Sequence, residues 1–318
     1  MNEAPCALVA VDWGTSHLRV WALGSRGEVI GERKSDEGMA STPRDRFAAV
    51  LESHLQALSV ASDIPVVMCG MVGSRQGWAE AGYLGVPAEL REISENAVRI
   101  SGGTRDIRIL PGLSKNSPEH PDVMRGEETQ LVGLSRLVPA AGGDTRVVCM
   151  PGTHSKWVHL TGQRVEDFAS FMTGEMFSAL SGHSVLRHSL STGRVDPKST
   201  AFLEAVRSSI DSPSDISARL FSIRPAGLLQ DLAPDNARAK LSGYLIGEEI
   251  AGAISRFPVP GTIELVGGGD LGRLYLAALS VASIDCRVHD GDQLVRAGLT
   301  EAASAIWKNA KRLAPGND

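Results

Sequence analysis

The sequence predicts an α/β protein with a duplicated, two-lobe architecture, and three observations predict it. Short strands joined by tight turns open the chain, the same pattern returns near its middle, and strand alternates with helix towards its end. A chain of 318 residues is also long for one core, at roughly 100–200 residues per domain. The expected lobes are 1–140 and 141–318.

In the first stretch, residues 6–12, 17–23 and 28–34 read as an antiparallel meander, with "DWGTS" at the first turn and "GSRG" at the second. Residues 44–61 place Phe47, Val50, Leu51, Leu55 and Leu58 at helical spacing, and 64–69 returns as a short buried strand. A Gly-rich loop (70–85) and a polar stretch lead to a strand at 107–110 and a helix at 127–137. The stretch "VVCMPGTHSKWVHLTGQRVE" (147–166) then overlays "AVDWGTSHLRVWALGSRGE", with Gly152 on Gly14 and Thr153 on Thr15. At the same offset Val158 falls on Val20, Gly162 on Gly24, Arg164 on Arg26 and Glu166 on Glu28. A helix (238–256), a strand (262–269), a helix (270–282), the strand "CRVHD" and a final helix (291–313) complete the second lobe.

Composition narrows the function classes. The 32 Lys and Arg are scattered and outnumbered by 37 Asp and Glu, which gives no footprint for nucleic acid. No apolar run reaches the length of a membrane span, and the first residues lack the basic and apolar regions of a secretory leader, so a cytoplasmic protein is expected. Cys6, Cys69, Cys149 and Cys286 have no metal-type spacing. Three of them, Cys69, Cys149 and Cys286, sit in apolar stretches and read as core residues.

The two Gly-Thr turns carry the chemistry. A turn with Gly lets backbone N–H groups converge, and neighbouring hydroxyls add donors, which makes a nest for an anion. Gly14, Thr15 and Ser16 form one such turn, and Gly152, Thr153 and His154 with Lys156 form the other. Together they suit a polyphosphate. Asp12 would repel phosphate unless a cation such as Mg2+ intervenes. The matching position in the second copy is Met150, so one metal site is expected. Either turn alone would pass for an ordinary hairpin.

"DWGTS" (12–16), "PGTHSKW" (151–157) and "GGGDLG" (267–272) resemble the two phosphate loops and the nucleotide loop of the actin-like sugar kinases. More narrowly, "GMVGSRQGW" (70–78), "MRGEETQ" (124–130), "PGTHSKWV" and "FMTGEMF" (171–177) resemble signature segments of the 2-dehydro-3-deoxygalactonokinase family. The resemblance implies an actin-like ATPase fold, ribonuclease H-like and duplicated, with an ATP cleft between the lobes. It also implies ATP-dependent phosphorylation of 2-dehydro-3-deoxy-D-galactonate at its terminal hydroxyl, with ATP and Mg2+ as cofactors and a small sugar acid as the partner. A homodimer is possible.

On this resemblance, Gly267, Gly268 and Gly269 would meet the nucleotide. The proton acceptor falls in "MRGEETQ", which is also similar to the Gly-x-Glu-Glu segment of exopolyphosphatases. Glu128 is the first choice, with Glu127 beside it and Asp12 as a substitute; both glutamates would equally suit a helix N-terminus through its dipole. Ser74, Arg75, Gln76 and Trp78 are candidates for the substrate, Arg75 presenting its planar fork to the carboxylate. Thr173 and Glu175 could bond sugar hydroxyls, with Phe171, Met172, Met176 and Phe177 packing in the core.

Alternatives on the same fold are a kinase for another sugar or sugar acid, or an exopolyphosphatase-type phosphatase. "GGGDLG" also satisfies G-x-G-x-x-G, with Asp290 placed as a ribose-binding acid, but too little chain follows for the rest of an NAD-dependent dehydrogenase domain. No G-x-x-x-x-G-K-[ST] or G-x-S-x-G occurs, which excludes a P-loop kinase and a serine-hydrolase elbow.

Overall fold

The computed structural model describes residues 6–140, 143–259 and 261–313. Residues 1–5, on which the leader reading partly rests, lie outside them. The chain forms two compact units. One runs up to Gly143 and includes Gly162–Glu166 and the segment from Gly291 onward; the other comprises Asp144–Thr161 and Asp167–Asp290.

The first unit opens with β1 (Leu8–Trp13), β2 (Leu18–Leu23) and β3 (Val29–Ser35), an antiparallel meander as the turns predict. Helix α1 (Phe47–Ala57) buries Phe47, Leu51 and Leu55 one turn apart and carries the chain over to β4 (Val66–Cys69), parallel to β1. The segments β5 (Tyr83–Gly85), β6 (Ala88–Glu89), α2 (Leu90–Glu95) and β7 (Val98–Arg99) follow. Then come β8 (Ile107–Ile109), β9 (Gly112–Lys115), β10 (Asp122–Met124) and α3 (Glu127–Leu137). The main sheet has the order β3-β2-β1-β4-β8-β7, and β10-β9-β5 form a small second sheet. Strand β1 lies between two neighbours and is almost wholly buried, whereas β3 is an outer strand exposed on both faces, where Glu32, Arg33 and Lys34 lie.

The second unit repeats the plan. Strands β11 (Thr145–Met150), β12 (Ser155–Thr161) and β13 (Arg164–Phe171) form the meander. Four helices follow, α4 (Thr173–His183), α5 (Thr200–Asp211), α6 (Ile216–Leu229) and α7 (Pro234–Arg256), then β14 (Thr262–Val266), α8 (Gly269–Val281) and β15 (Asp285–His289). The order β13-β12-β11-β14-β15, with β14 parallel to both neighbours, matches β3-β2-β1-β4-β8 strand for strand. This doubled order is the actin-like ATPase fold. An antiparallel meander inside each sheet also rules out the all-parallel sheet of a dinucleotide-binding domain.

The copies differ in register by one residue. Val20 pairs with Val11, but Val158 pairs with Val148, one place earlier than the sequence overlay predicts. The second turn is therefore one residue longer, with 151–155 between its last paired residues where the first has 14–17.

The last helix, α9 (Gly291–Leu313), groups with the first unit, not with the second lobe where the sequence placed it. It packs on α3 through two glycines. A Cβ on Gly133 would lie 2.0 Å from the Leu294 carbonyl oxygen, and one on Gly298 would lie 2.0 Å from that of Thr129. Sequence patterning also left α4–α6 and the strands β5–β7, β9 and β10 unassigned. Those strands are two to four residues long, too short for a period to show, and α6 carries Pro225 in its interior. Cys69 and Cys149 are buried as expected; Cys286 is only partly so, packed at the margin of the core.

The α3–α9 contact leaves no room for a side chain, so Gly298→Ala should lower stability by about 2–3 kcal/mol, as overpacking does. A urea midpoint equal to that of the wild type would show that the helices are not held this closely.

Candidate active site

Strand β1 ends at Asp12 and Trp13, and the chain turns at Gly14, Thr15 and Ser16. The turn is closed by Gly14 N–H donating to the His17 carbonyl (2.9 Å). It is braced from outside: Met39 N–H donates to Gly14 O (2.9 Å), Ala40 N–H to Thr15 O (3.0 Å) and Trp13 Nε1–H to Glu37 O (2.8 Å). The N–H groups of Thr15 and Ser16 have no acceptor among the described residues, and both residues are exposed. The turn expected to meet a phosphate is thus braced from outside and leaves the N–H groups of Thr15 and Ser16 for an anion, while that of Gly14 closes the turn.

Asp12 is paired in register with Arg19 on β2 and with Cys69 on β4. Arg19 Nη1 stands 3.9 Å from Asp12 Oδ2 and bonds Asp292 in the first turn of α9. Burial pushes the Asp12 carboxyl up to about 6. The Arg19 guanidinium works against this, and the charges of Asp292 and Glu127 add to it. Arg19 was not singled out from sequence. The signal was present, since a turn with one closing pair sets Arg19 directly opposite Asp12.

Directly after β4, Gly70 adopts a φ of 92°; a Cβ there would sit 2.7 Å from the Trp13 carbonyl oxygen and 3.2 Å from Asp12 Oδ1. Gly126, just before α3, approaches Gly70 from another side. These approaches bring the start of α3 to Asp12 and separate the two glutamates. Glu128 is fully buried, its Oε2 accepting from Gly126 N–H (2.6 Å) and its Oε1 from the Thr129 hydroxyl (3.0 Å). Burial pushes its carboxyl up to about 8, with the Glu127 charge adding to the rise and the bonds from Gly126 and Thr129 opposing it. Glu127 is half-buried, and its Oε2 accepts from Arg125 N–H (3.1 Å). The carboxylate chosen first from sequence is the covered one.

In the loop after β4, Ser74 is buried and Arg75 and Gln76 are exposed. Arg75 has no ion-pair partner among the described residues. Trp78 is partly buried at the margin of the core, where its ring stacks on Phe47 at 6.2 Å. Beneath the loop lies Arg125, missed from sequence although it stands in "MRGEETQ". Its guanidinium covers the Tyr83 ring at 4.3 Å and donates through Nη2 to Gly82 O (2.7 Å). Its buried Nε and Nη1, like the Ser74 hydroxyl, have no acceptor. Buried donors without acceptors mark a place prepared for an anion or a water.

In the second unit, β11 ends at Met150 and the turn runs through Gly152, Thr153 and His154. Thr153 and His154 are exposed, and their N–H groups have no acceptor among the described residues. Helix α4 starts against this turn: Glu175 N–H donates to Thr153 O (3.0 Å), and the Glu175 carboxylate meets His154 Nε2 at 2.5 Å. Lys156 is buried, with Nζ on the His154 carbonyl (2.7 Å). Met172 and Met176 are exposed, not core as expected, because α4 turns that side outward; Phe171 and Phe177 do pack.

Beside the turn is a cavity of about 330 Å3. Its wall includes Gly152, Thr173, Phe177, Leu245, Leu271 and Tyr275, and Arg194 and Asp270 pair across its edge at 2.9 Å. Gly267, Gly268 and Gly269 link β14 to α8 next to it: Gly267 borders Pro151, Gly269 has a φ of 62°, and open space surrounds Gly268 and Gly269. The structure thus gathers Asp12, Glu127 and Glu128 at the first turn, and Thr173, Glu175 and the three glycines around the second.

Comparison with known proteins places the chain in one family. The family model for 2-keto-3-deoxy-galactonokinase matches residues 12–302. A probable 2-dehydro-3-deoxygalactonokinase of Rhizobium meliloti (strain 1021) is 48% identical over 299 residues, 94% of this chain and 97% of the relative. The 2-dehydro-3-deoxygalactonokinase of Escherichia coli (strain K12) is 34% identical, over 94% of this chain and 98% of its own. A crystal structure from Sinorhizobium meliloti assigned to the same kinase superimposes with a TM-score of 0.91 at 47% identity, covering 94% and 99% of the two chains. These matches favour neither a phosphatase nor a dehydrogenase.

The state of Glu128 sets a pH dependence. Its folded pKa lies above the unfolded value, so the folded form holds the extra proton, and stability falls as pH rises from about 4.5 towards about 8. Glu128→Gln cannot lose that proton. Its urea midpoint relative to wild type should therefore improve steadily over this interval, and a difference that stays constant with pH would show that Glu128 titrates normally.

Proposed function

The chain belongs to the 2-keto-3-deoxy-galactonokinase family, and from that premise we propose that it transfers the γ-phosphoryl group of ATP to the terminal hydroxyl of 2-dehydro-3-deoxy-D-galactonate, giving the 6-phosphate. One observation carries the reading at the level of residues. Each unit presents a Gly-Thr turn whose backbone N–H groups include two with no acceptor among the described residues, and Asp12, Glu127 and Glu128 gather at the first. Phosphoryl transfer asks for little else: donors for the phosphates, neutralisation of their charge, and a group to take the hydroxyl proton.

ATP would lay phosphate on the N–H groups of the second turn and its nucleoside in the apolar cavity beside Gly152 and Tyr275, where the Gly267–269 loop admits close approach. Among the described residues no cluster of three or more ligating side chains could cage a metal. Mg2+ keeps most of its water and takes one or two carboxylates with substrate phosphates. Asp12 would hold it, since Asp12, Glu127 and Asp292 together exceed the charge of Arg19. When bound, the ion neutralises phosphate charge.

The proton acceptor in this reading is Glu127, because Glu128 is wholly covered and spends its carboxylate on Gly126 and Thr129. Glu128 then shapes the approach to α3. The acid group of the substrate would be met by Arg75 at the exposed tip of its loop, with Arg125 and Ser74 supplying donors beneath.

Release of ADP from ATP in the presence of Mg2+ should require 2-dehydro-3-deoxy-D-galactonate; turnover that the sugar acid does not stimulate would remove the substrate from this reading. Glu127→Gln should lower kcat by roughly 100- to 10,000-fold with little change in the KM for ATP, and Glu128→Gln by far less. The opposite order would return the base to Glu128. Arg125→Gln should raise the KM for the sugar acid by about tenfold or more while leaving that for ATP unchanged, as loss of a charged hydrogen bond does. An unchanged sugar-acid KM would limit Arg125 to packing.

A further inference from the structure

One buried carboxylate in the second unit is used by none of these steps. Glu249, on α7, is wholly inaccessible to solvent, and burial raises its pKa, which hydrogen bonds from Thr173, Tyr275, Trp157 and Ser155 oppose. A lone buried charge is costly, and one tied to several donors on different elements holds those elements in a fixed arrangement.

The bonds run in one direction. Trp157 Nε1–H donates to Glu249 Oε1 at 2.8 Å, and the Tyr275 hydroxyl donates to Oε2 at 2.6 Å. With its proton given away, the Tyr275 oxygen accepts from the Ser155 hydroxyl, 2.9 Å distant. Ser155 in turn receives the Gly152 N–H, at 3.4 Å. The chain of donors thus begins in the Gly-Thr turn and ends on the carboxylate. Two of its members, Gly152 and Tyr275, together with Thr173, also line the adjoining cavity.

We propose that Glu249 is a positioning residue for nucleotide: through Tyr275 and Ser155 it sets the second turn and the cavity wall in register, so that phosphates and nucleoside are met at once. The inference rests on the reading that this unit takes ATP. It goes further by assigning the geometry of the site to a residue that touches no ligand. A glutamine at 249 offers one acceptor where two are needed. Trp157 can only donate, so the amide NH2 must face Tyr275, and the Ser155 proton loses its acceptor.

The test compares wild type with Tyr275→Phe, Ser155→Ala, Glu249→Gln and the Tyr275→Phe/Glu249→Gln double variant. ADP affinity is measured by titration calorimetry, with the KM for ATP, the KM for the sugar acid and Tm alongside. Tyr275→Phe keeps the ring and removes one oxygen, so it remains informative even where Glu249→Gln fails to fold. Expected are an ADP Kd and an ATP KM raised about tenfold in the single variants, a sugar-acid KM within about twofold of wild type, and a double variant little worse than either single. If ADP affinity in Tyr275→Phe and Ser155→Ala stays within about twofold of wild type while Tm falls, Glu249 only packs the core and the proposal is overturned. A wild-type protein that binds no ADP overturns the nucleotide reading as well; failure to use the sugar acid with ADP binding intact overturns the substrate alone.

Discussion

A central strand paired on both sides cannot carry chemistry along its length, and the rest of this molecule follows from that constraint. Strand β1 has β2 on one flank and β4 on the other, and its side chains lie in the core. Its backbone groups are committed to neighbours until the sheet ends. Unpaired N–H groups and ionisable side chains can therefore gather only past the last paired residues, at Asp12 and the turn after it. The same holds for β11 and β14, whose ends pass into the second turn and the glycine loop. Function sits at strand ends in open α/β sheets for this reason.

Duplication then allows the two ends to diverge. The first unit keeps Asp12 at its strand end and adds the glutamates of α3, held there by the close approach of Gly70 and Gly126. In the second unit Met150 stands at the corresponding place, and the turn is supported from below by a hydrogen-bond network that ends on Glu249. One copy thus gathers three carboxylates at its turn, Glu128 buried and Asp12 and Glu127 partly so. The other holds Glu249 under its turn, carries the exposed His154–Glu175 pair on it and leaves an apolar cavity beside it. In the proposed reading, acceptor chemistry and nucleotide recognition make these different demands, since the first needs carboxylates near a reacting hydroxyl and the second an apolar pocket with few polar contacts.

The two neighbouring glutamates show how far local sequence reaches. "GEET" at a helix start predicts two carboxylates in the first turn of α3, and both are there. Successive helical positions point about 100° apart, so the two side chains enter different surroundings. Which of them is fully buried depends on where Gly70 and Cys69 arrive, and those lie far away in sequence. Arg125 is a similar case: its orphaned N–H groups exist only because the loop containing Ser74 folds over it. Trp78 was legible as a large aromatic next to a Gly-rich loop, but its stacking on Phe47 is a tertiary fact.

By itself, the sequence determined the meanders, the turn positions and the duplicated order, because Gly, Thr, Asp and alternating apolar residues act within a few positions of themselves. It also carried enough family signature to name the chemistry. Tertiary structure alone decided that α9 joins the first unit, that Glu128 is fully covered while Glu127 is half-buried, and that Ser155, Trp157, Thr173 and Tyr275 converge on Glu249. Each of these outcomes joins residues from distant parts of the chain. No local pattern encodes them, because the energies that choose them, burial of charge and the close approach of backbones, exist only once the elements have packed.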